Sequence, residues 1–349
     1  MRARQGNLQM AEKESLLISL NDVTEKEAAW LVPQRMPKGQ IIILAGDGGS
    51  GKTSLWCNLA AAISSGKQVF FDETPKEFFQ AEPQRVLFFS SEDSLEYTLK
   101  ARLRKAGANF DNIFSVDLKN ERFSEIKFNS ELLKSLIEDV KPTLVIFDPL
   151  QAFVPVDMQM GQRNAMRACL SPLIGIGEQF GVTSLIVVHT NKKQGVFGRN
   201  RIADSADVWD IARSVMIVGT ITGSSERYLS QEKNNYAPLA QTVLFNITEN
   251  GAEFVGFSDK KDADFVSERD YERRQAPQRA DAEKFIIDFL RNGKKPTSEL
   301  DEAAESAGIS KNTLSRAKTE LRKKKMLGSK AEGFGNSKVF YSYLVSTSH

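Results

Sequence analysis

The chain has 349 residues, of which 41% are hydrophobic and 26% are charged, a balance that favours globular protein with one large domain and a smaller one. A formal net charge of +2 excludes a strong overall attraction to nucleic acid, so any basic surface must be local. Two cysteines and two histidines argue against a zinc site, and the absence of a membrane-length apolar run or a signal peptide predicts a cytoplasmic protein with no membrane partner.

The first strong elements surround a glycine-rich segment. Residues 1–27 are polar and predict an N-terminal arm. Residues 40–45, apolar from Ile41 onward, predict a strand, and residues 52–65 predict a helix that ends before a glycine. Between them lies Gly46-x-x-x-x-Gly51-Lys52-Thr53, which is the P-loop pattern in its required setting of strand, turn and helix.

The residue types of this P-loop match the chemistry of a nucleoside triphosphate. Glycines allow backbone N–H groups to point at phosphate oxygens, and the start of the helix adds its positive end. Lys52 supplies a charge for the β- and γ-phosphates, and the Thr53 hydroxyl supplies a ligand for Mg²⁺. The predicted ligands are ATP and Mg²⁺, and the predicted nucleotide-binding residues are Gly46, Asp47, Gly48, Gly49, Ser50, Gly51, Lys52, Thr53 and Ser54.

Strands alternate with helices through the rest of this region. Apolar runs predict strands at residues 86–89, 144–147, 184–188, 214–218, 227–230 and 242–247, the last in a hairpin with 253–256. Helices are predicted at residues 94–106, 130–140 and 162–180. This alternation predicts an α/β fold with a mostly parallel sheet covered by helices on both faces, and ligands bind such sheets at the carboxyl ends of the strands.

Polar side chains follow three of the predicted strands. Asp148 ends one strand and can hold Mg²⁺ through water. Glu92 follows another, where a carboxylate can take a proton from the attacking water; Asp93 is the alternative, and both can instead be helix first-turn residues. His189 ends a third strand and is predicted to sense the γ-phosphate, with a purely structural histidine as the alternative.

The order of these segments resembles the RecA-type hexameric ATPases and, among them, the RepA-like replicative helicases of plasmids and phages. The matching segments are residues 46–53, 90–94, 144–150, 187–192, 207–218 and 233–235, within roughly residues 28–257. The resemblance implies a RecA-like domain that forms a homohexameric ring with ATP sites between subunits. It also implies an arginine finger and a lysine from the neighbouring subunit, which correspond to Arg213 and Lys233; a surface arginine and a solvated lysine are the alternatives.

In RecA-type rings the loop after the sensor strand faces the central pore, and here that loop is residues 191–207. Phe197 is predicted to stack on a base of single-stranded DNA. The cations predicted to bind its phosphates are Lys192, Lys193, Arg199 and Arg201. An ordinary basic surface loop is the alternative.

The C-terminal part has a different composition. Residues 258–280 are charged, with few apolar residues, and predict an interdomain linker that is helical in part. Helices predicted at 281–292, 298–307 and 311–324, followed by a two-stranded wing, resemble a winged helix-turn-helix over residues 281–349. In its recognition helix, the residues predicted to contact duplex DNA are Lys311, Arg316 and Lys318; a winged helix that binds a replication partner such as a primase is the alternative.

Three functions are compatible with these features. The first is an ATP-driven DNA motor, similar to a replicative helicase of a mobile element or phage. The second is an ATP-switched DNA-binding regulator or loader without helicase activity. The third is a ring ATPase that acts on a protein partner in defence or signalling, for which nucleic acid would not stimulate ATP hydrolysis.

Overall fold

A computed structural model of the chain describes residues 17–156, 158, 165–191, 196–202, 206–333 and 338–345, with the backbone alone for residues 206 and 272–277. These residues form a large α/β unit and a smaller C-terminal unit. A short antiparallel hairpin precedes the main sheet and consists of β1 (Trp30–Val32) and β2 (Met36–Pro37).

The large unit is built on a nine-stranded sheet. Its strands are β3 (Ile41–Gly46), β4 (Val86–Ser90), β5 (Ile113–Ser115), β6 (Leu144–Asp148), β7 (Thr183–His189), β8 (Ser214–Thr220), β9 (Arg227–Asn234), β10 (Thr242–Thr248) and β11 (Gly251–Ser258). The order across the sheet is β11-β10-β9-β8-β3-β7-β6-β4-β5. The pairings from β5 to β8 are parallel and those from β8 to β11 are antiparallel. The P-loop strand β3 is therefore central, and the strands that end in polar residues lie on one side of it.

Helices cover both faces of this sheet, which confirms the predicted fold class. They are α1 (Lys52–Ser65), α2 (Lys100–Lys105), α3 (Glu131–Val140), α4 (Ala165–Phe180) and α5 (Ala206–Ile211). Side chains alternate along β3: Ile42 and Leu44 belong to the core under α1, while Ile41 and Ile43 belong to the core under α3 and α4. A strand buried on both faces reads as a continuous apolar run, and this run made the sheet predictable.

The C-terminal unit has the element order of a winged helix-turn-helix. After the last turns of a long helix come β12 (Lys295–Pro296), α7 (Thr297–Ser306), α8 (Lys311–Lys323), β13 (Leu327–Glu332) and β14 (Val339–Leu344). The three strands form a separate sheet in the order β12-β14-β13. A separate apolar core, which includes Ile286, Leu300 and Leu321, holds the helices against this sheet.

The segment predicted as a partly helical linker is helix over most of its length. Helix α6 runs from Asp262 to Leu290 without interruption, so it spans most of residues 258–280 and also includes the helix predicted at 281–292. Its first turns place Asp262, Phe265 and Val266 on one face, and all three are buried. This face packs on the large unit, which explains why a charged segment forms a continuous helix.

Among the described residues, no helix combines the length and apolar character that crossing a membrane requires.

Candidate nucleotide-binding site

The P-loop connects β3 to α1 through a backbone that only glycine adopts easily. Gly49 and Gly51 have φ values of 75° and 103°, in the left-handed region that favours glycine. A Cβ atom on Gly46 would lie 2.5 Å from the carbonyl oxygen of Val218, so a side chain there would force the loop away from the sheet. The Ser50 hydroxyl is buried with no hydrogen-bond partner among the described residues. A loop with an unpaired buried hydroxyl and a glycine-lined backbone fits phosphate oxygens.

Lys52 lies at the start of α1 with its ammonium over the loop. Its Nζ donates hydrogen bonds to the carbonyl oxygens of Gly46 and Asp47, at 2.8 and 3.0 Å. Burial lowers the pKa of Lys52, although the nearby charges of Asp148, Glu92 and Asp47 act in the opposite direction. The cation is thus held against the backbone of the loop, a position that suits a group binding the β- and γ-phosphates.

The predicted Mg²⁺ ligands lie side by side. Thr53 Oγ1 is 3.4 Å from Asp148 Oδ2, and the same carboxylate oxygen accepts a hydrogen bond of 2.7 Å from Trp56 Nε1. Burial raises the pKa of Asp148, while the Trp56 hydrogen bond and the charge of Lys52 lower it and the charge of Glu92 raises it further. A hydroxyl and a buried carboxylate at this spacing fit a divalent cation, whose charge would stabilise the ionised form of Asp148.

Glu92 and His189 meet above the end of β6. His189 Nε2 is 3.4 Å from Glu92 Oε1. Asp93, the alternative base, pairs with Arg102 at 3.2 Å. The structure therefore brings together the predicted base and the predicted γ-phosphate sensor, although they belong to strands that are not neighbours in the sheet.

Arg213 and Lys233 lie at the edge of the sheet where the parallel strands begin, opposite the edge that carries the P-loop. The backbone N–H of Arg213 donates to the carbonyl oxygen of Ile41, the first residue of β3, and a strand of this length places the P-loop about 17 Å away. Lys233 Nζ donates to the carbonyl oxygens of Trp209 and Asp210, at 2.9 and 3.1 Å. Neither cation contacts the P-loop of its own chain in the described structure.

The predicted pore-loop cations have different environments. Lys192 and Lys193 lie outside the described residues. Arg199 is exposed and pairs with Asp210. Arg201 does not meet the expectation of a free cation: its side chain is 2% exposed, because it forms an ion pair with the buried Asp262. In this arrangement Arg201 is not available to a nucleic acid.

The three cations predicted to contact DNA from α8 also differ in their exposure to solvent. Lys311 and Arg316 are exposed on α8, and the Arg316 guanidinium lies 5.5 Å from the centre of the Tyr271 ring of α6. Lys318 differs from the expected free cation, since it is 8% exposed and pairs with Asp301 of α7. Lys318 follows the core residue Leu314 by four positions, so both lie on the face that packs on α7.

Two residues at this site, Trp56 and Arg269, were not predicted from the sequence. Trp56 contacts Asp148, and its spacing of three residues from Thr53 places both on one side of α1. The carboxylate of Asp47 accepts hydrogen bonds from Thr190, from Arg201 at 3.3 Å and from Arg269 of α6 at 3.0 Å. The signal for Arg269 was its helical spacing from Asp262 and Phe265, which emerges only once this segment is recognised as helix.

The class of protein follows from this geometry. A P-loop between a central parallel strand and a helix, with an acidic residue at the end of β6, which β7 separates from β3 in the sheet, defines a P-loop nucleoside triphosphatase, here with a RecA-like fold. The AAA domain family matches residues 10–195, over half of the chain, and the chain belongs to this family of P-loop ATPases. Membership implies the use of ATP and Mg²⁺, for which the residues described above fit.

Curated proteins similar to this chain carry the name "DNA repair protein RadA". The protein from Halalkalibacterium halodurans is 25% identical over 236 residues, which cover 67% of this chain and 45% of that protein. The protein from Bacillus subtilis is 22% identical over 61% of this chain and 40% of its own length. The protein from Aquifex aeolicus is 22% identical over 66% of this chain and 45% of its own length. The chain therefore spans less than half the length of these relatives.

Proposed function

We propose that this ATPase is a ring-forming DNA motor of the RepA-like replicative-helicase group, with a C-terminal winged helix that binds duplex DNA. The observation that carries the proposal is the meeting of Glu92 and His189 beside the P-loop, because a base in contact with a γ-phosphate sensor suits a site that hydrolyses ATP and responds to the result. The names of the relatives support an association with DNA, and the order of segments supports the helicase group.

Each residue has a defined task in this proposal. Lys52 and the P-loop amides bind the phosphates, while Thr53 and Asp148 would hold Mg²⁺, which supplies positive charge to the transferring phosphoryl group. Glu92 orients the attacking water and accepts its proton. His189 contacts Glu92, so a change at the γ-phosphate reaches the base and the loop after β7.

The position of Arg213 supports action between subunits. Arg213 is exposed and lies at the edge of the sheet opposite its own P-loop, so it can act only on the site of another chain. In a closed ring, for which we propose a hexamer, head-to-tail contacts bring this edge of one subunit to the P-loop edge of the next. Lys233, beside Arg213 at the same edge, is proposed to act with it.

Mixing two inactive variants tests this assignment. We expect Arg213→Ala and Lys52→Ala proteins to be inactive alone and to regain part of their ATP turnover when mixed, because some mixed interfaces pair an intact P-loop with an intact Arg213. Native mass measurements on the mixture control for ring exchange. Absence of recovery at every ratio, with mixed rings present, would assign Arg213 a structural role instead.

The exposed cations suggest two DNA contacts. Lys311 and Arg316 lie on the exposed side of α8, in the position from which a recognition helix contacts duplex DNA. Arg199, together with Lys192 and Lys193, is proposed to contact single-stranded DNA in the pore. The two groups lie in different units, so their effects on DNA binding are separable.

Neutralising α8 is expected to weaken duplex binding specifically. The double variant Lys311→Gln with Arg316→Gln should bind duplex DNA about tenfold more weakly and with a salt dependence reduced by about two counterions, while basal ATP turnover stays at the wild-type rate. Lys284→Gln, an exposed substitution on α6, is the matched control. If duplex affinity is unchanged by the double variant, the winged helix binds a protein partner rather than DNA.

A second function, an ATP-switched DNA-binding regulator or loader, is favoured by one observation. Helix α6 contacts the P-loop through Arg269 and continues into the winged helix, so the ATP site and the proposed DNA-binding unit share one helix. Strand separation distinguishes the two functions. The motor separates a forked duplex during ATP hydrolysis, whereas the regulator binds the same duplex in an ATP-dependent way and leaves it intact.

A further inference from the structure

The side chain of Asp47 joins three elements that are far apart in sequence. Its Oδ1 accepts a hydrogen bond from Thr190, directly after His189, and its Oδ2 accepts from Arg201 and Arg269. Burial alone would raise the pKa of Asp47, but the Thr190 hydrogen bond and the charges of Arg201 and Arg269 outweigh it and hold the pKa below its ordinary value. The P-loop, the sensor strand and α6 thus meet at one ionised carboxylate.

Arg201 extends this contact to the start of α6. It pairs with Asp262, which is fully buried and accepts a hydrogen bond of 2.8 Å from the Tyr228 hydroxyl. The Tyr228 ring in turn stacks on Phe265, with centroids 4.2 Å apart and planes 11° apart. Two carboxylates and two guanidinium groups alternate along this chain of contacts, so their charges balance where solvent is largely excluded.

The face of α6 that makes these contacts is continuous. Asp262, Phe265, Val266 and Arg269 follow the spacing of one helix stripe, and the first three are buried against the large unit. The same helix then supplies Ala282, Ile286 and Leu290 to the core of the winged helix. Arg269 and Ala282 are separated by about 20 Å of helix. A shift of α6 at the P-loop is therefore transmitted to the winged helix by a single element.

We propose that Arg269 is a positioning residue for the P-loop and that its ion pair with Asp47 couples nucleotide binding to the docking of α6. This inference rests on the proposed ATP site, and it adds a residue and a regulatory contact that the catalytic site does not require. The P-loop of the free protein carries the negative charge of Asp47, and a triphosphate adds more charge beside it. The guanidinium groups of Arg201 and Arg269 lie beside Asp47 and offset that charge. Because Arg269 belongs to α6, this attraction acts on the helix.

The coupling acts in both directions. Nucleotide binding strengthens the attraction between the P-loop and Arg269, so α6 docks more tightly when ATP is present. By thermodynamic linkage, docked α6 increases the affinity for ATP by the same factor. Arg201 cannot act as the adjustable member because it is enclosed on both sides by Asp47 and Asp262, whereas the Arg269 side chain is 22% exposed and lies at the margin.

The test uses the full chain with Arg269→Gln, which keeps a long polar side chain without the charge. We expect this variant to bind ATP about 5- to 20-fold more weakly, with KM raised by a similar factor and kcat changed less. Arg269→Lys should recover part of the affinity, since it keeps the charge and loses the paired N–H geometry. Lys284→Gln, on the exposed part of α6, should bind ATP as the wild type does.

Hydrogen exchange supplies a readout that a purely structural role would not change. In the wild type, a non-hydrolysable ATP analogue at saturating concentration should slow amide exchange over residues 262–271. In Arg269→Gln, exchange without nucleotide should stay close to wild type, because Asp262, Phe265 and Val266 still hold the helix, but the slowing by the analogue should be lost. Equal slowing in both proteins, or none in the wild type despite bound analogue, would overturn the inference. Failure of the wild type to bind any ATP analogue would instead contradict the proposed ATP site.

Discussion

Replacing Lys52 by alanine is expected to reduce ATP turnover at least about 100-fold, because a preorganised charge at the β- and γ-phosphates is removed from a partly buried site. Lys52 Nζ lies between the carbonyl oxygens of Gly46 and Asp47, a position that no other described cation occupies. ATP affinity should fall as well, since the ammonium contacts phosphate in the bound ground state. Steady-state phosphate release and equilibrium binding of a fluorescent ATP analogue measure the two effects.

Lys67→Ala is the matched control for this variant. Lys67 is exposed just beyond the end of α1, so its removal tests the loss of a nearby lysine without touching the loop. It should keep the wild-type rate. A Lys52→Ala protein that is folded and hydrolyses ATP at the wild-type rate would contradict the P-loop assignment.

Replacing Glu92 by glutamine is expected to leave ATP binding nearly intact while hydrolysis slows at least about 100-fold. Glutamine has the shape of glutamate and can still reach His189, but it cannot accept a proton from water. A filter-binding assay and single-turnover hydrolysis, performed on the same preparation, separate the two steps. The expected product is a stable complex of the variant with unhydrolysed ATP.

Asp93→Asn is the comparison that locates the base. Asp93 pairs with Arg102 and not with His189, so its neutralisation should change hydrolysis by only a small factor. The reverse pattern, with slow hydrolysis in Asp93→Asn and normal hydrolysis in Glu92→Gln, would move the base by one residue.

The positions that the sequence predicted best are those at the ends of apolar strands. The apolar runs before Gly46, Asp148 and His189 predicted β3, β6 and β7, and parallel strands necessarily bring such ends to one edge. Contacts across that edge, such as the approach of Glu92 to His189, followed from the topology and not from spacing along the chain.

The full extent of α6 and the burial of the cations Arg201 and Lys318 could not be predicted from the sequence. A charged stretch with few apolar residues is typical of a linker, but Asp262 and Arg269 are used in ion pairs, and tertiary contacts stabilise the helix. In the same way, Arg201 and Lys318 lie in polar, basic segments that are typical of a protein surface. Their burial depends on Asp262 and Asp301, whose positions only the folded chain reveals.

Stimulation of ATP hydrolysis by single-stranded DNA tests the central claim most directly. Phosphate release by the unmodified 349-residue chain would be measured with Mg²⁺, with and without a single-stranded oligonucleotide, over a range of salt concentrations. For a DNA motor we expect DNA to raise the turnover rate and this stimulation to decline as salt increases, because cation–phosphate contacts release counterions. An active ATPase whose rate is the same with and without single-stranded DNA, duplex DNA or RNA would contradict a DNA motor and favour a ring ATPase that acts on a protein partner.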